Sequence, residues 1–197
     1  MRFIFVRHPQ TIANEIGYIY GKKDYPYTDL GQQQYKLAIE KSEEFPCKHL
    51  VSSPLGRARC LGEGIAKRNH MVLSVDSALE EMHYGILEGL TLEEGKDQYP
   101  DVMEAFLKGD DGYTIPEGEE VEAFYHRIHT FLVTWLERNE DVLVVSHGGV
   151  IRTAIEYLLT TEPGFSWQLE IGNASFVEIV CEEGYHRLKT LANLEVG

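Results

Sequence analysis

The chain has 197 residues, of which 43% are hydrophobic and 25% are charged, a balance that excludes collagen-like, low-complexity and disordered chains. Its 18 basic and 32 acidic residues give a net charge of −14, which argues against nucleic-acid and polybasic membrane partners. The length suits one globular domain with a sizeable core.

The predicted elements, taken in chain order, alternate between strands and helices. Apolar runs and alternating patterns predict strands, which lie at 3–6, 49–52, 71–75, 141–146, 176–181 and 185–191. Apolar residues repeated every three or four positions, with capping residues, predict helices, which lie at about 28–45, 54–66, 119–138 and from the glycine pair at 148 to 159. The segment 17–26 is predicted as a surface loop.

This alternation favours a three-layer α/β/α sandwich with a mostly parallel central sheet. The last two strands are expected to form an antiparallel edge. No linker or repeat divides the chain, so we expect a single domain over residues 1–197. The irregular, Glu- and Gly-rich segment 77–116 is the predicted cap or lid, and a capping box at Thr91 marks one helix start within it.

The cysteines and the hydropathy pattern predict a soluble, cytoplasmic protein without a membrane partner. Cys47, Cys60 and Cys181 are odd in number and form no Cys-x-x-Cys motif, which is typical of a reduced compartment. No apolar run approaches the ~20 residues of a membrane span. Arg7 and His8 interrupt the apolar start, so no secretory signal is predicted.

Basic residues follow three of the predicted strands. Arg7 and His8 end the first strand, Arg57 comes within one helical turn of the second, and His147 and Gly148 follow the strand at 141–146. Because open α/β sheets bind ligands at the carboxyl ends of their strands, we expect these groups to converge. Two arginines, two histidines and free backbone N–H groups in an acidic protein predict a site for a small anion, most simply a phosphoryl group.

Other kinds of site lack support in the sequence. No phosphate-binding Gly-x-x-x-x-Gly-Lys-[Ser/Thr] loop and no Gly-x-Ser-x-Gly elbow occurs. His126 and His129 stand three residues apart on a helix, but they lack carboxylate or cysteine partners at ligand spacing. No metal and no cofactor is therefore predicted.

The chemistry that fits this residue set is attack by His8 on phosphorus. Cationic neighbours lower the pKa of an imidazole and keep it neutral and nucleophilic. Arg7, Arg57 and His147 would hold the phosphoryl oxygens and neutralise developing charge. The leaving alkoxide needs a proton, which a carboxylic acid beside the phosphate can supply, and the candidates lie in the segment 79–85.

The chain resembles the histidine phosphatase superfamily, in its phosphoglycerate mutase-like branch. Five blocks in family order carry the resemblance, namely Arg7-His8-Pro9 with Asn14, the block 21–31, the block 52–58 around Arg57, the block 79–89, and the block 145–149 around His147. One departure is Pro9, which stands where the family has glycine and removes any phosphate contact from that amide.

The resemblance implies a role for each site residue. His8 becomes phosphohistidine, and Glu81 rather than Glu80 is the proton donor. The phosphate is bound by Arg7, Arg57 and His147, with secondary contacts from Asn14 and the Gly148 amide. Tyr84 matches a position that lines the substrate pocket in some members. Two alternatives stay open: Asn14 caps a turn, and Tyr84 simply packs.

The function expected from the resemblance is hydrolysis of a small phosphorylated metabolite without a metal. Gly149 and Glu88-Gly89 look phosphatase-like, whereas His83-Tyr84-Gly85 is mutase-like. Short patterns such as Arg-His-Pro also resemble alpha-ribazole phosphatases, so alpha-ribazole 5′-phosphate and sugar phosphates are the expected substrates. A cofactor-dependent phosphoglycerate mutase and a non-catalytic phospho-ligand binder are the alternatives, and a homodimer is left open.

Overall fold

A six-stranded sheet flanked by helices forms the centre of the molecule, whose computed structural model describes residues 1–108, 113–194 and 196. The strands are β1 (Arg2–Arg7), β2 (Tyr18–Ile19), β3 (His49–Ser52), β4 (Leu73–Val75), β5 (Leu90–Thr91), β6 (Val142–Ser146), β7 (Phe176–Glu182) and β8 (Tyr185–Ala192). The α-helices are α1 (Ile12–Ile16), α2 (Asp29–Lys41), α3 (Gly56–Arg68), α4 (Leu92–Gln98), α5 (Pro100–Lys108), α6 (Val121–Arg138) and α7 (Gly148–Leu159).

The strand order of the sheet is β4-β3-β6-β1-β7-β8. The first four strands in this order run parallel, and β7 and β8 form the antiparallel edge, as the sequence predicts. The register pairs Arg7 with Ser146 and Ser52 with Val145. Three neighbouring strands therefore end side by side. His8 and His147 directly follow β1 and β6, and Arg57 comes five residues after the end of β3.

The alternation of side chains along β1 builds two separate cores. Phe3 and Phe5 point to one face, where α6 and α7 pack, and Ile4 and Val6 point to the other, where α2 and α3 pack. All four side chains are fully buried. This arrangement confirms the predicted three-layer α/β/α sandwich.

Some predicted boundaries are wrong. The helix predicted at 54–66, which is α3, begins at Gly56 and not at Pro54, because Leu55 keeps an extended backbone. The segment 17–26 is not a plain surface loop, since it contains β2, which pairs with β5 of the predicted cap. In α2, Leu30 is exposed, whereas Gln34 and Ala38 are buried.

The predicted cap has a small hydrophobic cluster of its own. Leu87, Met103 and Ile115 are buried together, apart from the two cores of the sheet. The capping box predicted at Thr91 is present, since Glu94 accepts from the Thr91 backbone N–H at 2.8 Å while its own N–H donates to Thr91 Oγ1. Residues 109–112 of the cap lie outside the described residues. Among the helices of the described chain, none combines the length and apolarity that crossing a membrane requires.

Candidate active site

Four of the predicted site residues meet at the carboxyl ends of β1, β3 and β6, namely Arg7, His8, Arg57 and His147. His8 and His147 lie with ring centroids 5.3 Å apart. His8, Arg57 and His147 are 3%, 3% and 0% exposed. The convergence follows from the parallel register, which brings three strand ends to one edge of the sheet.

The backbone of the neighbouring residue fixes the orientation of the His8 imidazole. His8 Nδ1 lies 2.7 Å from the Pro9 carbonyl oxygen. A carbonyl can only accept, so Nδ1 carries the proton and Nε2 keeps its lone pair. Pro9 has no amide to offer a phosphate, as predicted, but its carbonyl selects the tautomer of His8 that has a nucleophilic Nε2.

Burial and positive charge keep both imidazoles neutral. Burial is the largest cause that holds the pKa of His8 well below its ordinary value, followed by the charges of Arg57 and Arg7. The pKa of His147 is lowered in the same direction, again by burial first and then by Arg57. The predicted neutral nucleophile is therefore supported by its surroundings.

Arg7 lies half-buried beside the start of α7. Its Nη1 donates to the Ile171 carbonyl at 2.7 Å. A side chain at Gly148 would place its Cβ 3.5 Å from Arg7 Nε, so the guanidinium and the helix N-terminus are in direct contact. Burial is the largest cause that lowers the pKa of Arg7.

Arg57 is held by the loop that precedes α2. Its Nη2 donates to the Gly21 carbonyl at 2.7 Å, and Nη1 donates to the Lys23 carbonyl and to Asp24 Oδ1 at 3.0 and 2.8 Å. The Tyr20 ring stacks on the guanidinium, with the centroid 4.6 Å away. The protein thus takes both N–H groups of Nη1 and one of Nη2, and the N–H of Nε and the second N–H of Nη2 are left for a ligand.

Three nitrogen atoms of the site have no hydrogen-bond partner among the described residues. They are Arg7 Nε, Arg57 Nε and His147 Nδ1, and all are buried. The other ring nitrogen of His147 lies 2.8 Å from Ser53 Oγ. Because a buried unpaired donor is costly, such a group of donors is typical of a pocket that an anion completes.

Glu81 lies against the N-terminus of α7. Its Oε2 accepts from the Gly149 N–H at 3.0 Å, and Oε1 accepts from the Met82 N–H at 3.0 Å. A Cβ at Gly149 would come within 2.4 Å of Oε1, so the carboxylate occupies the space that a side chain at Gly149 would need. Glu80 instead forms an ion pair with Lys22 away from these groups.

Asn14 and Tyr84 make the structural contacts, a helix cap and a packing contact, that the sequence analysis left open as alternatives to binding. Asn14 completes a capping box at the start of α1, where its Oδ1 accepts from Thr11 N and from Tyr20 Oη at 3.1 and 2.9 Å. Tyr84 packs edge-on against Phe106 at 5.8 Å. Burial first, then the charge of Glu81, raises the pKa of Tyr84. The Tyr84 side chain packs against the cap cluster. Binding roles for both residues stay predictions.

Several residues that shape the site were missed in the sequence. Asn173 donates to the His8 carbonyl at 3.1 Å and to Asn14 Oδ1 at 3.2 Å. Arg127 holds the segment that contains Glu81 by donating to the carbonyls of Ala78, Glu80 and Glu81. An arginine among the apolar residues of the long helix was a usable signal for the latter, but a lone asparagine carried none.

The helix histidines weighed as metal ligands have other contacts. His129 stacks on Tyr157, with ring centroids 4.2 Å apart. His126 is an exposed residue on the same helix. Over residues 1–108, 113–194 and 196, no group of three or more His, Cys, Asp or Glu is placed to hold a metal ion.

The buried neutral histidines predict a loss of stability at acid pH. Their pKa values are lowered in the folded protein, whereas an unfolded imidazole titrates near 6.5. As the pH falls through this value, the unfolded chain takes up protons that the folded one does not. We expect the free energy of unfolding to decrease by up to about 1.4 kcal/mol per pH unit for each histidine.

Urea unfolding between pH 7 and 5.5 measures this effect. His8→Gln should lower the slope of unfolding free energy against pH, whereas His126→Gln, an exposed control, should keep it. An equal slope in the native protein and in His8→Gln would contradict a neutral, buried His8.

Comparisons with known proteins identify the family and agree with the fold. The model of the histidine phosphatase superfamily (branch 1) matches residues 3–194. A probable phosphoglycerate mutase of Yersinia pestis is 27% identical over 185 residues, which cover 93% of this chain and 86% of that protein.

Solved structures share the fold closely. The alpha-ribazole phosphatase of Shigella flexneri superposes with a TM-score of 0.89 at 23% identity, over 100% of this chain and 98% of that one. At this identity, the likeness concerns the fold alone. A mycobacterial glucosyl-3-phosphoglycerate phosphatase gives a TM-score of 0.81 at 27% identity, over 95% and 96% of the two chains.

Proposed function

Because the chain belongs to the histidine phosphatase superfamily, we propose that it is a phosphomonoesterase that hydrolyses a small phosphorylated metabolite through a phosphohistidine on His8. The carrying observation is the set of three buried, unpartnered nitrogens beside a histidine whose Nε2 has a free lone pair. A phosphoryl group has the charge and the oxygens to satisfy them.

In the first step, His8 Nε2 attacks phosphorus and the bond to the leaving alkoxide breaks. Arg7, Arg57 and His147 bind the phosphoryl oxygens and offset the charge that develops on them. Glu81, in its protonated form, gives its proton to the leaving oxygen, so the product leaves as an alcohol. The product of this step is phosphohistidine.

In the second step, water replaces the alcohol. The Glu81 carboxylate takes a proton from the water as its oxygen attacks phosphorus, and the bond to His8 Nε2 breaks. Inorganic phosphate leaves, and Glu81 is protonated again for the next cycle. Metal is not needed in this scheme, because the arginines supply the positive charge.

The internal pairing of nearby cations favours a monophosphate substrate. Lys22 pairs with Glu80, Lys23 Nζ donates to the Glu88 carbonyl at 2.7 Å, and Arg59 pairs with Glu63 at 2.9 Å. These are the residues that the sequence offered for a second phosphate. Since each is engaged within the protein, they support hydrolysis of a monophosphate over transfer between two phosphorylated species.

Gly149 supports the same choice. Mutases of this family usually carry asparagine there, and in this chain a Cβ at that position would come within 2.4 Å of Glu81 Oε1. The position of the Glu81 carboxylate therefore requires a residue without a side chain at 149. Alpha-ribazole 5′-phosphate and sugar phosphates are the substrates that we propose within the class.

A phosphoglycerate mutase is the second candidate. The 27% identity with a probable phosphoglycerate mutase, together with the mutase-like His83-Tyr84-Gly85, favours it. A mutase passes the phosphoryl group from His8 to a bound phosphoglycerate instead of to water. A non-catalytic binder is less favoured, since His8, Arg57, Glu81 and His147 are all retained and lie at the site.

Inorganic phosphate release in EDTA from a panel of monophosphates tests the proposal. The panel contains alpha-ribazole 5′-phosphate, sugar phosphates and 3-phosphoglycerate. We expect release from at least one class, unaffected by EDTA. Interconversion of phosphoglycerates after priming with a bisphosphoglycerate, without phosphate release, would establish the mutase instead. Binding of phosphate without either reaction would favour the non-catalytic phospho-ligand binder.

A further inference from the structure

The carboxylate of Glu88 is buried in the cap, outside the set of reacting groups. Its side chain is 1% exposed. Oε1 accepts from the backbone N–H groups of Lys22 and Tyr84 at 2.8 and 3.2 Å, and Oε2 accepts from that of Lys23 at 2.9 Å. Hydrogen bonds from N–H groups to an ionised carboxylate are among the stronger ones in proteins.

The segment that Glu88 holds is the one that holds Arg57. The carbonyl oxygens of Gly21 and Lys23 accept from the Arg57 guanidinium, and so does the Asp24 carboxylate. The N–H groups of 22 and 23 point to Glu88, while the carbonyls of 21 and 23 point to Arg57. One short stretch of backbone thus joins the two side chains.

Close packing leaves this stretch no room to move toward the cap. A Cβ at Gly21 would lie 1.7 Å from the Met82 carbonyl oxygen and 2.8 Å from Glu88 Oε1. The segment therefore rests directly on the backbone that follows Glu81. Lys23 Nζ adds a bond to the Glu88 carbonyl at 2.7 Å.

From this geometry we infer that Glu88 is a positioning residue, which fixes Arg57 for phosphate by holding the backbone of residues 21–24. It touches neither phosphate nor the reacting atoms. It also ties the arginine to the segment of the proton donor, because Glu88 and Glu81 belong to the same part of the cap. This inference rests on the proposed binding of phosphate by Arg57.

Calorimetric titration with inorganic phosphate tests the inference. We expect Glu88→Ala to raise the Kd for phosphate about 10- to 100-fold, in the range found for outer partners of a bound ion. Glu88→Gln keeps one acceptor oxygen and should give an intermediate Kd. Glu94→Ala removes another cap carboxylate that accepts backbone N–H, that of Thr91, and should keep the native Kd.

A double-variant cycle separates positioning from a general loss of structure. If Glu88 acts through Arg57, then Glu88→Ala should add less than about a twofold effect to Arg57→Ala. Independent, multiplying effects would overturn the inference, and so would a native Kd in Glu88→Ala.

Phosphate binding by the unsubstituted protein distinguishes a failure of the proposed function from a failure of the positioning role of Glu88. If it binds no phosphate, the proposed function fails together with the inference. If it binds phosphate while Glu88→Ala binds equally well, only the positioning role fails. Should Glu88→Ala not fold, the Glu88→Gln and Glu94→Ala pair makes the same comparison.

Discussion

His8→Ala is expected to lower kcat for phosphate release by about 10⁴-fold or more, because it removes the atom that forms the covalent intermediate. Other site groups cannot replace it. The other buried imidazole, His147, contacts Ser53 Oγ through Nε2 at 2.8 Å, and in the proposed mechanism its Nδ1 binds the phosphoryl group. Steady-state phosphate release with the best substrate of the panel measures the loss.

Two controls make the result specific to the nucleophile. His126→Ala removes an exposed imidazole and should keep the native rate. Phosphate binding by His8→Ala should persist, since Arg7, Arg57 and His147 remain. A rate within tenfold of the native one in His8→Ala would contradict nucleophilic catalysis by this residue.

Glu81→Gln is expected to lower kcat for alkyl phosphates by about 10²- to 10⁴-fold. Glutamine keeps the size of the side chain and can still accept from Gly149 N–H, but it holds no transferable proton. Phosphate esters with a good leaving group, such as 4-nitrophenyl phosphate, need less help from an acid. Their kcat/KM, which reports the first step, should therefore fall less than that of alkyl phosphates in the same variant.

The adjacent carboxylate supplies the matched control. Glu80 pairs with Lys22 on the surface, and Glu80→Gln should change kcat by less than about threefold, as expected for a partly exposed ion pair. An equal loss of kcat/KM, which excludes the shared second step, for alkyl and 4-nitrophenyl phosphates in Glu81→Gln would show that Glu81 is not the acid. A greater loss in Glu80→Gln than in Glu81→Gln would move the role to Glu80.

The sheet and the centre of the site could be predicted because each has a strong local signal. The apolar runs that end at Arg7, Ser52 and Ser146 mark buried parallel strands, and these strands end at one edge of the sheet. Basic residues directly after such runs are therefore brought together by the sheet, independently of the conformation of the loops. The same logic located His8 and His147.

The support around the site could not be predicted, since it consists mostly of backbone contacts. The carbonyls of Gly21 and Lys23 that hold Arg57, and the Pro9 carbonyl that orients His8, belong to the main chain and leave no mark in residue type. The segment 17–26 looked like a surface loop because its lysines and tyrosines suit a solvated turn. Its role became visible only with Glu88 and Arg57 in place.

Asn14 shows a second limit, because a residue that caps a helix can also lie beside the site. It caps α1, and through Tyr20 and Asn173 it also contacts groups that touch Arg57 and the His8 backbone. The sequence offered a cap and a phosphate contact as alternatives. The cap is confirmed, and the phosphate contact stays a prediction, which the fold allows because α1 begins four residues after His8.

Trapping the phosphoenzyme tests the central claim most directly. The reaction is stopped during turnover without acid, and the protein is then examined by intact-mass and peptide mass spectrometry. These measurements detect a bound phosphoryl group and the residue that carries it. We expect a phosphoryl group on His8, present in the native protein, accumulating further in Glu81→Gln with 4-nitrophenyl phosphate, and missing in His8→Ala. Turnover with no phosphoryl group on His8 at any time, including in Glu81→Gln, would contradict the account.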